Sequence, residues 1–386
     1  MYQIAIATSL SECVSEKEYR SLVEVCVDAT VFNDWPWLST TIDYLSEGQQ
    51  FTGISVRAGE SQLVGFLALR VATESLHGIP STVARFVQYP LGDRIAVLLH
   101  PDHRGAWDPL LDYLQQLSRS HWDCMIWNEW IDTQGLLVQS VQWAEDNKAS
   151  IFHHTSCQCP VLSLNFDTEE EMLAGLSKKK RSDLRWRTKK LDKLNSEILH
   201  FRPSAEETVD WLEKIRLTEA ESWKGDEGVG IFNNSDSSDF FKVVSKRLAK
   251  SDQLDLSVIN IDGELASYRY GFYFRNTFFD YSIGYLPQYT KLGLGRILLH
   301  ELVNSLLREG YAAVDASRVG IVTGHLLAER TDDVVSHYQF YWFGNSIKGQ
   351  LLKLLVVRVK PGFKLLREKY QKWKTARGAE IGKAEK

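Results

Sequence analysis

The apolar positions along the chain change period several times, and each change marks an element. Between residues 18 and 27, Leu22, Val25 and Cys26 recur at helical spacing, and the Trp35-Pro36-Trp37 run opens a second short helix reaching Tyr44-Leu45. Residues 51–71 then read as two β-runs around an Ala58-Gly59-Glu60-Ser61 turn, a hairpin signal. After an Asp108-Pro109 start, Leu110, Leu111, Leu114 and Leu117 predict a helix, and residues 122–130 predict a strand.

The second half repeats this order. Residues 254–274 predict strand, turn and strand around Asp262-Gly263, and residues 276–288 form a long aromatic strand. Ile297, Leu298, Leu302, Val303, Leu306 and Leu307 then line one face of a helix that Gly310 stops, and residues 311–319 predict a last strand. Hairpin, helix and strand recur in order though not in residues, which predicts an internal duplication. Between the halves, residues 178–193 hold nine Lys or Arg over a thin stripe of Leu176, Leu184, Leu191 and Leu194. This is a basic helix starting after Ser177. It is read either as a solvated face with i,i+4 ion pairs or as a surface for a polyanion or phosphorylated ligand, with Trp186 as a stacking group. Residues 360–386 predict a second basic amphipathic helix, docked on the second domain or touching a membrane surface, that frays into a polar tail.

Composition narrows the classes. At 386 residues, 44% hydrophobic, 25% charged and 11% aromatic, the chain is globular, and roughly 150 residues per domain suggests two or three domains. The expected division is 1–162, a connector 163–200, a C-terminal domain 201–372 and a tail 373–386. Forty-five Lys+Arg against 50 Asp+Glu leave −5 overall, which excludes the global basic field of a DNA-binding protein. Five scattered cysteines fit a reducing compartment. The first twenty residues lack the basic and apolar regions of a signal peptide. The most apolar stretch, from Leu351, is broken by Lys353 and Arg358, short of the ~20 residues that span a bilayer. A cytoplasmic location without a transmembrane segment is expected; the oligomeric state is not legible.

The informative segment is residues 289–303, YTKLGLGRILLHELV. Gly293 and Gly295 lie between a strand and an amphipathic helix. A bare backbone and the unpaired N–H groups of a helix start form an anion site suited to phosphate. It is neither a P-loop nor a dinucleotide fingerprint, since Leu298 stands where the third glycine would be. The His153-His154 and Cys157/Cys159 cluster lacks the usual spacing of a zinc site, and no metal is expected. Cys124 shows no neighbouring base that would make it a nucleophile.

The order hairpin, long strand, G-x-G turn, helix, strand resembles the GNAT superfamily of acyltransferases, whose motif [Q/R]-x-x-G-x-[G/A] is matched by Thr290, Gly293 and Gly295, with Thr290 in place of Gln or Arg. The segments FNDWPWL, LSKKKRSDLRWRTKKL and ESWKGDEGVGIF resemble the CelD (cellulose-biosynthesis) subfamily, related to the FemAB-type aminoacyl transferases of cell-wall synthesis. The resemblance implies an α/β fold of tandem acetyltransferase-like domains, each a mixed twisted sheet flanked by helices. It implies acetyl-CoA or another acyl-CoA as co-substrate, held by Thr290, Lys291, Leu292, Gly293, Leu294, Gly295 and Arg296. The implied reaction is direct N- or O-acyl transfer to a sugar, polysaccharide precursor or cell-envelope metabolite. The alternatives are aminoacyl transfer from tRNA and a non-catalytic binding module of an envelope-polymer assembly. In the first half only Gly105 occupies the corresponding turn and Trp107 crowds it, so that half is expected to bind no coenzyme A.

Transfer from a thioester needs an anchor, an oxyanion donor, a base and a proton for the leaving thiolate. Asp280, an isolated carboxylate in an apolar strand, is expected to have a raised pKa and serve as base, or else to pair with Arg275. Asp315, beside Arg318 at the same edge of the sheet, is the rival base. Tyr281 and Tyr285 are candidate proton donors or core residues. Alternation puts Asp280, Ser282 and Gly284 on one face and Tyr281, Ile283 and Tyr285 on the other. Trp223 and Lys224 match a Trp-Lys pair of the subfamily and are expected to face the acceptor.

Overall fold

The structure, a computed structural model, describes residues 2–59, 61–233, 235–318 and 325–359, without the side chains of residues 226, 235, 236 and 359. The predicted C-terminal basic helix and tail lie outside the described residues. The first half carries β1 (Tyr2–Ala7), β2 (Gln49–Ala58), β3 (Gln62–Leu76), β4 (Ile79–Phe86), β5 (Leu98–Leu99), β6 (Cys124–Trp130) and β7 (Ser150–Ser163). The second carries β8 (Ser196–Phe201), β9 (Leu254–Ile261), β10 (Glu264–Phe274), β11 (Thr277–Tyr285), β12 (Ala313–Asp315) and β13 (Val334–Phe343).

All join one mixed sheet in the order β1-β2-β3-β4-β6-β13-β7-β12-β11-β10-β9-β8, with β5 pairing β3 off the path. Among the named strands, pairing is antiparallel except for β4 with β6 and β11 with β12. Each of these parallel pairs is separated in sequence by a helix, Trp107–Leu117 in the first half and Leu294–Arg308 in the second. The repeated order is thus real at the level of topology. The halves share the sheet, because β13 lies between β6 and β7 while the far end of β7 pairs β12.

Helices cover both faces. In the first half, Trp107–Leu117 and Leu136–Asp146 pack over Trp127, Trp130 and Phe340. In the second half, the helix Leu294–Arg308 packs on one face, and the basic helix Lys178–Leu191 docks on it through Leu184 and Leu191 against Leu294, Ile297 and Leu298. Ser177 caps the basic helix, its hydroxyl accepting from Lys180 N. The other face is covered by Glu207–Glu221 and Ser235–Ala249, together with Glu16–Val25 and Trp35–Asp43 from the first half. Here one aromatic core crosses the halves, with Trp37 and Phe272 rings 5.3 Å apart and Phe32 between Trp37 and Phe279. Such edge-to-face pairs add to the burial of large rings and lock the halves together.

Two local features depart from the sequence pattern. The strand expected over 311–319 ends at Asp315, where the carboxylate accepts from Ser317 N at 2.7 Å and Ser317 turns to a positive φ of 55°. In β11 the register jumps, with Tyr270 opposite Ser282 and Gly271 opposite Asp280, so Tyr281 is the extra residue of a β-bulge. A Cβ on Gly271 would lie 2.6 Å from Phe279 O, so glycine is what lets the bulged strand approach. The alternation expected for this strand is therefore corrected: beyond the bulge, Ser282 joins Tyr281 on the face opposite Asp280.

Candidate functional site

The chain leaves β11 through a 3-10 turn, Pro287–Leu292, in which the Thr290 hydroxyl donates to Pro287 O at 2.7 Å. Gly293 follows at φ 64° and begins the helix without a side-chain cap. That backbone conformation suits glycine. A Cβ there would also overlap the guanidinium of Arg187, which reaches over from the basic helix and donates to Lys291 O at 3.2 Å. At Gly295 the nearest side chain to a would-be Cβ is Leu326, 4.0 Å away, so the backbone there is open to approach. Leu294 is buried, Leu292 partly so, and Arg296 makes a bidentate pair with Glu329, which Lys180 also approaches at 3.8 Å. The cavity beside them is small, about 30 Å³. Arg330 lines it; burial, with Arg269 and Arg296 nearby, pushes its guanidinium down to about 10, and its Nη1 is buried without a hydrogen-bond partner. The corner therefore gathers cations around a helix start, with two carboxylates among them, Glu329 and Asp183, the latter paired with Arg187 at 2.7 Å.

Beside this corner the sheet opens. β11 and β12 pair only at Thr277–Ala313, Phe278–Val314 and Phe279–Asp315, after which β11 runs on to Tyr285 paired only with β10. Asp280 and Asp315 stand at the parting. Asp280 is fully buried in an ion pair with Arg269 through Oδ2, and His325 Nε2 lies 3.2 Å from the same oxygen. Burial alone would push the Asp280 carboxyl up, but Arg269 and His325 outweigh it and hold it below the usual carboxylate range. This corrects the expected isolated, raised carboxylate, and its partner is not Arg275. That residue instead caps the carbonyls of Val23, Glu24 and Cys26. Asp315 pairs with Arg94 at 2.6 Å, and burial raises it.

A cleft of about 870 Å³ lies on the other side of the bulge, at the junction of the halves. Three residues singled out in the sequence, Lys224, Tyr281 and Arg318, line it together. Lys224 Nζ donates to Ser282 Oγ at 2.8 Å and lies 3.6 Å from the fully buried Glu219. Burial pushes the Lys224 ammonium down, against the pull of Glu219. Tyr281 donates to Leu91 O at 2.8 Å. Arg318 meets Glu129 at 3.1 Å. Trp223 is exposed next to Lys224 and does not line the cleft; nor do Tyr285, half-buried opposite Ser267, Asp280 and Asp315.

Several groups in and around the cleft, Cys157 and Cys159 apart, had no signal in the sequence. Asp93, from the first half, is buried; burial pushes its carboxyl up to about 7, Arg318 opposing and Glu129 adding. Glu219 accepts from Phe232 N at 2.7 Å and Tyr268 Oη at 3.1 Å. Cys157 sits opposite His337 on β13, with Cys159 Sγ at 3.7 Å, and those two neighbours, against burial, draw its thiol down to about 5. Only the pairing of β7 with β13 brings this group together. Cys124, by contrast, is buried with its thiol pushed up to about 12.

The first half closes the corresponding opening. β4 and β6 part after Arg85–Ile126, and Ile95 bridges the space, donating to Glu129 O at 2.9 Å and accepting from Ile131 N at 3.0 Å.

Residues 178–324 match the family described as acetyltransferase (GNAT) domain. No curated protein sequence matches the chain significantly. Among solved structures, that of FemX superposes with a TM-score of 0.60 at 10% identity, over 88% of this chain and 98% of that one. A conserved protein of unknown function from Bacteroides thetaiotaomicron gives 0.51 at 9% identity, over 88% and 100%. A tandem GNAT protein from the clavulanic acid biosynthesis pathway gives 0.49 at 13%, over 90% and 100%. The chain has the mixed α/β fold of a GNAT-type acyltransferase, and residues 178–324 carry the match to its acetyltransferase domain.

Proposed function

We propose that the protein is an acyl-CoA-dependent N- or O-acyltransferase acting by direct transfer. The observation that carries this reading is the parting of β11 from β12 beside a helix start led by Gly293 and left without a side-chain cap. Acyl-CoA supplies the activated acyl group. The segment Thr290–Arg296 holds its diphosphate, mainly through the amides of Leu294 and Gly295, with Arg187 and Arg330 as flanking cations. Asp280 and Asp315, each paired with an arginine, hold the two edges of the opening. A small or polysaccharide-derived acceptor with a hydroxyl or amine, in keeping with the CelD resemblance, sits in the cleft against Lys224 and Arg318, with Trp223 exposed outside it beside Lys224. Asp93 takes its proton: a carboxylate near 7 is suited to that task. An amide of the Tyr281–Ser282 bulge faces the developing oxyanion, and the Tyr281 hydroxyl returns a proton to the leaving sulfur.

Titration calorimetry with acetyl-CoA and longer acyl-CoAs tests the reading. Micromolar binding supports it, and no heat at millimolar ligand overturns it. A second reading, transfer from aminoacyl-tRNA, is favoured by one observation. Lys178, Lys179, Arg185, Lys189 and Lys190 lie exposed on the basic helix around Trp186, itself 48% exposed. It requires retention on tRNA that falls steeply with salt.

A further inference from the structure

The cluster of Cys157, Cys159, His337 and Glu129 has no part in the transfer just described. Residues 157 and 159 are two apart on β7, so both thiols leave the same face of the strand, and His337 lies directly across from Cys157 on β13. One donor atom from each of the three lies within 4.8 Å of the others. The two sulfurs are 3.7 Å apart. A tetrahedral ion with Zn–S bonds of about 2.3 Å needs them about 3.8 Å apart.

The histidine adds an independent sign. His337 is fully buried; its Nδ1 lies 2.8 Å from Glu129 Oε2, its Nε2 is buried without a hydrogen bond of regular geometry, and the ring stands beside the Cys157 thiol. A histidine that gives one ring N–H to a carboxylate presents its other nitrogen as a lone pair, which is the arrangement of a metal-bound imidazole with its orienting acid. Glu129 is in turn held by Arg318 at 3.1 Å. A thiol nucleophile would account for Cys157 and His337 but leave Cys159 without a role; a metal uses all four groups.

We infer that Cys157, Cys159 and His337 bind a zinc-type divalent cation, with Glu129 orienting the imidazole and a fourth coordination position open to the cleft. Two thiolates balance the charge of the ion, and thiolate with imidazole selects zinc over harder cations. Cys157 lines the cleft whereas Cys159 and His337 are fully buried, so the open position faces the cavity on the Cys157 side. That position takes an oxygen or nitrogen of the acceptor; this last clause alone rests on the proposed transferase function.

The test is metal analysis of the full-length protein purified from zinc-supplemented medium. About one zinc per chain is expected, falling to background in Cys157→Ser, Cys159→Ser and His337→Gln and unchanged in Cys124→Ser. Glu129→Gln should weaken zinc affinity 10–100-fold. Because a ligand variant can fail to fold, cobalt is added to metal-stripped wild type. Thiolate-to-cobalt charge transfer with the visible bands of a tetrahedral ion supports the site. Folded wild type without stoichiometric zinc or that spectrum overturns the inference, as does zinc retained in a Cys157→Ser/Cys159→Ser double variant. None of these readouts involves acyl-CoA, so failure of the metal site and failure of the transferase reading are told apart.

Discussion

Arg269 and Asp280 form a fully buried ion pair between neighbouring strands, and the same guanidinium donates to Gly295 O at 2.9 Å. One side chain thus ties the edge of the strand opening to the first turn of the glycine-led helix. Removing one partner leaves the other charge buried. Arg269→Met or Asp280→Asn should cost about 3–5 kcal/mol in urea unfolding, and a double replacement by apolar residues should recover much of it. The pH dependence has a definite sign. The folded carboxyl of Asp280 lies below its unfolded value, so its stabilisation is present above an unfolded pKa of about 3.9 and is lost as pH falls through the folded value. Asp280→Asn should lose that acid-side slope.

The carboxylate of Glu329 stands among Arg296, Lys180 and Arg330, where an anionic ligand is proposed to bind. A diphosphate must displace it. Glu329→Gln should therefore tighten acyl-CoA binding several-fold, with a change in thermal stability under about 1 kcal/mol, as expected for a half-exposed pair. Calorimetry measures the first and a thermal melt the second; weaker binding would show that Glu329 holds the corner open rather than filling it.

Gly295 has only Leu326 near a would-be Cβ, at 4.0 Å, and only the proposed ligand needs its backbone bare. Gly295→Leu should leave folding unchanged or raise stability by up to about 1 kcal/mol, because glycine is a poor helix former. Acyl-CoA affinity should fall at least tenfold. Equal affinity in the variant would place the ligand elsewhere.

Asp93→Asn should lower kcat by roughly 10²–10⁴ with little change in the KM for acyl-CoA. A base must be ionised to act. Wild-type rate should therefore rise with pH through a limb near 7, set by the burial that pushes Asp93 up, and the variant should lack that limb. A rate profile that keeps the limb in the variant assigns the base to another group.

Much of this arrangement was readable from residue pattern. Helix and strand periods located the hairpins, the glycine-led helix and the basic helix, because each buries a single apolar stripe or face. Lys224, Tyr281 and Arg318 were singled out and meet in one cleft. What the pattern hid depends on contacts between distant segments. The bulge at Tyr281 turns Ser282 to the far side, a one-residue event that alternation cannot foresee. Asp280 looked isolated because its partner, Arg269, belongs to the neighbouring strand. Asp93 lies in the half that carries no glycine turn, and His337 meets Cys157 only because β13 is inserted beside β7.

The most direct test of the whole account is a crystal structure of the protein with coenzyme A. The account predicts the diphosphate within hydrogen-bond distance of the amides of Leu294 and Gly295, Glu329 turned away, and the sulfur between β11 and β12 pointing at Tyr281. Coenzyme A bound on another surface, with the parting of those strands empty, would contradict it.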